Sequence, residues 1–161
     1  MTVDPWSDAA WDLPEPHVVT LSVEAAEIDA YGHVNNAVYL GWCDIAAWDH
    51  SAALGLPLSH CVAIDRGMAV IRSVIVYFRP ALPGDSVRVA TWLLQGGTRL
   101  RIRRRFQVRR DADGATLARA EVEYACIELS SGRPVRWPVE FRERYLPRDA
   151  TLQALPKLAP L

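Results

Sequence analysis

The sequence predicts an α+β fold in which a curved antiparallel sheet of five or six strands wraps around one long central helix. Three observations carry this. The segment at about 36–54 is apolar at 37–40, 42, 43, 45–48 and 52–54. At about 100° per residue those positions cover nearly the whole helical circumference, so the helix is expected to be buried on most sides. Around it lie five or six strand-like runs, mostly consecutive, which favours antiparallel pairing in one layer against the helix. One of these runs, from Met68 onward, is apolar on both faces, so something must cover both sides of it.

The elements follow in chain order. Residues 1–16 hold Pro5, Pro14, Pro16 and the tryptophans Trp6 and Trp11, and read as an extended arm. Residues 17–24 alternate, with Val19, Leu21 and Val23 on one face of a strand. A polar loop then leads into the helix, and Gly55 is placed to end it in the left-handed conformation. Residues 61–78 read as a strand with a bulge or bend at Gly67. Pro80-Ala-Leu-Pro-Gly-Asp85 is a turn. Residues 86–94 form a strand with Val87, Val89, Thr91 and Leu93 on one face, broken by Gly96-Gly97. Residues 98–109 and 116–129 form a long hairpin around Asp111-Ala-Asp-Gly114. The expected organisation is an arm over 1–16, one domain over 17–146 and a Pro- and Leu-rich tail over 147–161.

Composition narrows the function. The chain has 161 residues, 50% of them hydrophobic, with a formal net charge of −1. No global field favours nucleic acid or an anionic membrane, so neither is an expected partner. No apolar run approaches a membrane span. The acidic, proline-broken N-terminus does not read as a secretory signal, and a cytoplasmic location is expected. Cys43, Cys61 and Cys126 are odd in number and widely spaced, which suits reduced core residues rather than disulfides or a zinc site. No metal ligand set and no cofactor are expected.

The strand at 98–109 is rich in arginine. Leu100, Ile102, Phe106 and Val108 are expected to face the core, and Arg99, Arg101, Arg103, Arg105 and Arg109 to face out. Glu121 and Glu123 on the next strand offer cross-strand ion pairs, and binding of ligand phosphate is the alternative use. Arg104 breaks the pattern by pointing inward. A buried arginine calls for a carboxylate partner, or for a bulge that re-aims it. Arg72 raises the same question, and Asp44 is a candidate partner for either.

The chemistry concentrates in Asp29-Ala-Tyr-Gly-His-Val-Asn-Asn36. An acid, an imidazole and two amides precede a helix whose first turn has unbonded N–H groups and a positive dipole end. Asp29 there can be a structural anion or cap. It can also be the base or nucleophile that an ester or thioester requires, with the Asn36 backbone N–H polarising the carbonyl. His33 alone can be a structural hydrogen-bonder. No Gly-x-Ser-x-Gly elbow, zinc-spaced ligand set or Gly-rich phosphate loop is present.

The stretch Asp29-Ala-Tyr-Gly-His-Val-Asn-Asn-Ala-Val-Tyr-Leu-Gly-Trp42 resembles the signature of hotdog-fold acyl thioesterases of the 4-hydroxybenzoyl-CoA thioesterase type. It is also similar to the Asp-x-Asn-x-His-Val-Asn-Asn signature of acyl-ACP thioesterases. Downstream, Val70-Ile-Arg72 with Tyr77-Phe-Arg-Pro-Ala-Leu-Pro-Gly-Asp85, and then Leu117-Ala-Arg-Ala-Glu-Val-Glu, resemble later strands of that fold in the right order. The likeness spans about residues 17–144.

The resemblance implies the hotdog fold and a homodimer or homotetramer with sites at the dimer interface. It implies an acyl-CoA or acyl-ACP substrate, so that coenzyme A is part of the substrate rather than a cofactor. Asp29 takes the catalytic carboxylate position, Asn36 the oxyanion donor and His33 the signature histidine. Tyr31 stands where the acyl-ACP branch has Asn, so an orienting carboxamide is missing. Tyr31, Asn35, Tyr39 and Arg72 become candidate substrate contacts, and Gly97, Thr98 and Arg99 candidate contacts for the CoA phosphates and pantetheine. Tyr39, Trp42 and Trp48 can line an acyl pocket or simply pack the core. Two rivals share the fold: an enoyl-CoA hydratase, for which Asp29 to His33 is one residue short of the expected spacing, and a non-catalytic acyl-CoA-binding protein.

Overall fold

The structure is a computed structural model that describes residues 11–98 and 100–161, with the backbone alone at 95–98. Five strands, β1 (His17–Ser22), β2 (Arg66–Tyr77), β3 (Ser86–Thr98), β4 (Arg101–Arg110) and β5 (Thr116–Glu128), form one sheet. Their order is β1-β3-β4-β5-β2, and every pairing is antiparallel. The long helix α1 (Asn36–Ala53) lies against one face. The α+β arrangement with a single central helix is the one the sequence predicts.

Local chemistry sets the ends of α1. The Asn35 side chain accepts the Ala37 N–H at 2.9 Å and caps the start. Gly55, at φ +79°, donates its N–H to the Ala52 carbonyl at 2.9 Å and stops the helix. The inner face of α1, including Tyr39, Trp42, Cys43 and Ala46, packs on Val87, Val89, Phe106, Val108, Ala120 and Val122 of the sheet. Burying a Val or Phe side chain of this kind stabilises the fold by about 1.5–3 kcal/mol.

Within a single chain the opposite face of α1 is left uncovered. Ala37, Leu40, Gly41, Asp44, Ile45 and Trp48 lie exposed in a stripe, with Ile45 49% accessible. The sheet curls around one side only, and an all-apolar circumference does not say which side a single chain covers. Strand β2 is similar. It is an edge strand, and Val70 and Ile71 are exposed on it.

Two strand boundaries differ from expectation. Residues 58–63 form a short helix, α2 (Leu58–Ala63), entered from Pro57 and followed by Asp65 at φ +54°. The Asp65 carboxylate holds that turn by accepting the Ser130 N–H at 2.8 Å and the Ser130 hydroxyl at 2.6 Å. Strand β2 therefore begins at Arg66. Gly67 sits in register opposite Ile127 without a bulge, and the irregularity falls between Val70 and Arg72. A Cβ at Gly67 would lie 2.7 Å from Leu129 Cδ2, so a larger residue there would have to push the exposed Leu129 side chain aside. Likewise Gly96-Gly97 does not end β3; the register shifts around these glycines and the strand runs to Thr98.

Part of the outer face of the sheet, around β3, is also covered, by the described part of the N-terminal arm together with Ala154, Leu155 and Leu158. Leu13 is buried against Trp92 and Leu94, and Trp11 meets Trp92 edge-on at 6.3 Å. Asp12 accepts from Arg105 Nε at 3.0 Å and Arg119 Nε at 2.8 Å. The cross-strand pairs Arg101–Glu123 at 2.9 Å and Arg105–Glu121 at 3.1 Å form as the alternation predicts. Ile102, Phe106 and Val108 face the core, whereas Leu100 lies exposed in the β3–β4 turn. Trp6 lies outside the described residues. The C-terminal residues add α3 (Val139–Arg144) and α4 (Asp149–Ala154), and Phe141 and Tyr145 close one end of the core.

Candidate active site

The site grows from the loop before α1. Ile28 and Val34 pair as an isolated bridge, which folds the intervening residues into a tight loop. Asp29 donates its N–H to the His33 carbonyl at 2.8 Å, and Gly32, at φ +75°, donates to the Asp29 carbonyl at 3.0 Å. The Asp29 carboxylate is tied by one oxygen. Its Oδ1 accepts the Tyr31 N–H at 2.8 Å and the His33 N–H at 3.4 Å. Among the described residues nothing bonds Oδ2, so one carboxylate oxygen is available for chemistry.

The helix start is pinned from both sides. Asn35 donates its N–H to Glu27 O at 2.8 Å, and Val34 donates to Ala81 O at 3.0 Å. The Tyr77 hydroxyl donates to the Asn36 carbonyl at 2.9 Å. Asn36 is the first residue of α1, and among the described residues no acceptor meets its N–H. An unbonded N–H at a helix N-terminus carries the positive end of the dipole and suits a developing oxyanion.

The other expected site residues fall into three groups. The His33 side chain is exposed, with no partner among the described residues, and Tyr31 is 86% accessible. Asn35 and Tyr39 have structural partners: Asn35 caps α1, and the buried Tyr39 hydroxyl accepts the Ala81 N–H at 2.8 Å. Arg72 is exposed on the edge strand opposite Glu123. Gly97 and Thr98 lie at the far end of β3, whereas the Asp29 loop adjoins its near end through the Val23 N–H to Asp85 O bond at 2.9 Å. Within one chain they are not brought to Asp29, and Arg99 lies outside the described residues.

A groove of about 390 Å³ begins beside the helix start, between the exposed face of α1 and strands β2 and β5. Ala37, Leu40, Asp44, Val70, Val122 and Tyr124 line it. Adjoining it is a small cavity of about 30 Å³, which shares Asp44 and Tyr124 with the groove and is also lined by Arg104, Ser51 and Tyr145. Cys43 also faces the groove, but burial and the neighbouring Asp44 push its thiol up to about 12. It is not a nucleophile at neutral pH.

Arg104 points inward, as the alternation predicts, but its partners correct the expectation of a carboxylate. Its guanidinium bonds His50 Nδ1 at 2.9 Å and Ser51 Oγ at 3.0 Å. Asp44 pairs with neither Arg104 nor Arg72. His50 and Ser51 were not singled out from the sequence, although both fall in phase with Tyr39, Cys43, Ala46 and Ala47 on the buried helix face.

Residues 23–145 match the thioesterase-like superfamily. The chain belongs to this superfamily. Its sheet and central helix are the hotdog fold of these thioesterases. It is 28% identical over 127 residues to the long-chain acyl-CoA thioesterase FadM of Escherichia coli, covering 77% of this chain and 92% of that protein. Among solved structures, a probable thioesterase of Escherichia coli, YbaW, superposes with a TM-score of 0.66 at 26% identity. That match covers 80% of this chain and 95% of the other. The DHNA-CoA thioesterase of Staphylococcus aureus superposes at 0.75 with 20% identity, covering 91% and 96%, a likeness of fold. No helix among the described residues is long and apolar enough to cross a membrane.

Proposed function

We propose that this thioesterase hydrolyses an acyl thioester of coenzyme A to the free acid and thiol. Asp29 serves as nucleophile or as general base for water, and the Asn36 N–H receives the charge that develops on the carbonyl oxygen. One observation carries the reading. A carboxylate with a free oxygen stands in the loop that leads into α1, and an unbonded N–H stands at the start of that helix, next to Ala37, which lines the groove. In the net reaction a water oxygen ends on the acyl carbon, the C–S bond breaks and the thiolate takes up a proton. Nothing in this chemistry requires a cofactor. The naming of FadM as an acyl-CoA thioesterase supports coenzyme A as the carrier over acyl carrier protein. A cytoplasmic location belongs to the same reading.

The test uses one preparation of the full chain with acyl-CoA and crotonyl-CoA. Release of free thiol is the expected result. Loss of the enoyl absorbance without thiol release would mark a hydratase, and neither signal a binding protein. His33→Ala is expected to cost less turnover than Asp29→Asn, because the exposed His33 side chain makes no hydrogen bond among the described residues while its backbone N–H bonds Asp29. A larger loss at His33 would make the imidazole the base.

A homodimer, or a homotetramer built from dimers, completes the reading. The exposed stripe of α1 and the free, apolar edge of β2 are surfaces that a lone chain leaves in water. Sedimentation should give at least a dimer at micromolar concentration. A stable monomer under those conditions would contradict this part of the account.

A further inference from the structure

The small cavity beside the groove holds a buried cation with no ion-pair partner among the described residues. Arg104 is 3% accessible, and an arginine keeps its proton at neutral pH. Its hydrogen-bond acceptors are His50 Nδ1 and Ser51 Oγ, and the guanidinium also lies over the Tyr145 ring, 5.7 Å from its centroid. Both acceptors are neutral. Burial and the facing guanidinium push His50 down to about 3, so its Nδ1 offers a lone pair rather than a proton. Ser51 Oγ donates to the Ala47 carbonyl at 2.9 Å and accepts from the Tyr145 hydroxyl at 3.1 Å. Burial raises the phenols of Tyr124 and Tyr145, which therefore stay protonated. Asp44 lines the cavity neck and is exposed, but it makes no ion pair with Arg104. A buried cation without an ion-pair partner is destabilising on its own account, and its usual compensation is an anion.

The position of this cation says where such an anion would come from. The cavity adjoins the groove proposed for the acyl group, with Asp44 and Tyr124 lining both. Its volume, about 30 Å³, suits a group of a few atoms rather than the body of a chain. The guanidinium fork has donors beyond the two used on His50 and Ser51, in a geometry that matches a carboxylate. We infer that Arg104 receives a carboxylate at the far end of the acyl group, so that the preferred substrates are ω-carboxyacyl thioesters. This rests on the thioesterase reading and names its substrate class. An entirely apolar chain end would have to stop short of the cavity or leave the charge bare.

The experiment measures kcat/KM by thiol release for glutaryl-, adipoyl- and suberoyl-CoA against pentanoyl-, hexanoyl- and octanoyl-CoA. At the best-fitting length the wild type should favour the carboxylated chain by roughly tenfold or more, the scale of one charge-assisted hydrogen bond. In Arg104→Met that ratio should fall to one or below. Arg104→Gln keeps a polar amide donor at this position while removing the charge. It should lose the preference equally, and it decides the matter if the Met variant fails to fold. A wild type without preference at any length, or variants that keep it, would overturn the inference. Thermal shift with free adipate and suberate reads binding without hydrolysis. Stabilisation that depends on Arg104, in a chain that cleaves no thioester, would sink the hydrolase reading and with it the substrate preference, leaving only carboxylate binding at Arg104. Absence of Arg104-dependent stabilisation, with no carboxylate preference in turnover, would sink this one alone.

Discussion

Asp29→Asn is expected to lower kcat by at least about 100-fold, the scale of a general acid or base contribution. Asn retains a carbonyl oxygen at the Oδ1 position, so the Tyr31 and His33 N–H groups keep their acceptor and the loop keeps its shape. What disappears is the second oxygen, the one that nothing among the described residues holds, together with the negative charge. An amide nitrogen there can neither take a proton from water nor attack a carbonyl carbon. The loss should fall on kcat with thermal stability near wild type, and steady-state kinetics beside a melting curve checks both. Near-normal turnover would remove Asp29 from the mechanism.

Asn36→Pro is expected to abolish turnover while the chain still folds. Proline lacks the N–H that the account gives to the oxyanion, and no structural bond depends on that N–H among the described residues. The first helical position suits proline's fixed φ. Asn35 already sits at φ −57° and ψ +139°, a conformation that a residue before proline adopts readily. By contrast, Asn36→Ala changes the side chain and leaves the backbone donor, so activity should stay within roughly tenfold of wild type, well short of the losses that follow removal of an oxyanion donor. The pair separates backbone from side chain, and circular dichroism guards against misfolding. Equal losses in both variants would assign the role to the carboxamide instead.

The physics explains which parts were legible in the sequence. Helix α1 was legible because its terminators are local: a capping Asn35 and a Gly55 that adopts φ +79°. The hairpin of β4 and β5 was legible because alternation and the Asp-Ala-Asp-Gly turn agree, and Gly114 does adopt φ +69°. Residues 61–65 were misread as strand because their composition suits either state, and the deciding features were Pro57 before them and the Asp65 turn held from Ser130. The loop of Asp29 could be located but not its wiring, since the bond from His33 N–H to Asp29 Oδ1 depends on the backbone path through Gly32. Arg104 was visible as a break in alternation. Its partners were not, because His50 and Ser51 meet it only through packing of α1 on β4. The docking of Asp12 on Arg105 and Arg119 joins residues far apart in the chain, and no local pattern announces it.

The most direct test of the central claim is a structure of the full chain bound to a non-hydrolysable acyl-CoA thioester analogue. The account predicts the carbonyl-equivalent oxygen within hydrogen-bond reach of the Asn36 nitrogen, about 3.2 Å or less, with the Asp29 carboxylate facing the carbonyl carbon or a water beside it. An analogue whose oxygen points away from the start of α1, or whose reacting carbon lies out of reach of both Asp29 and its water, would contradict it.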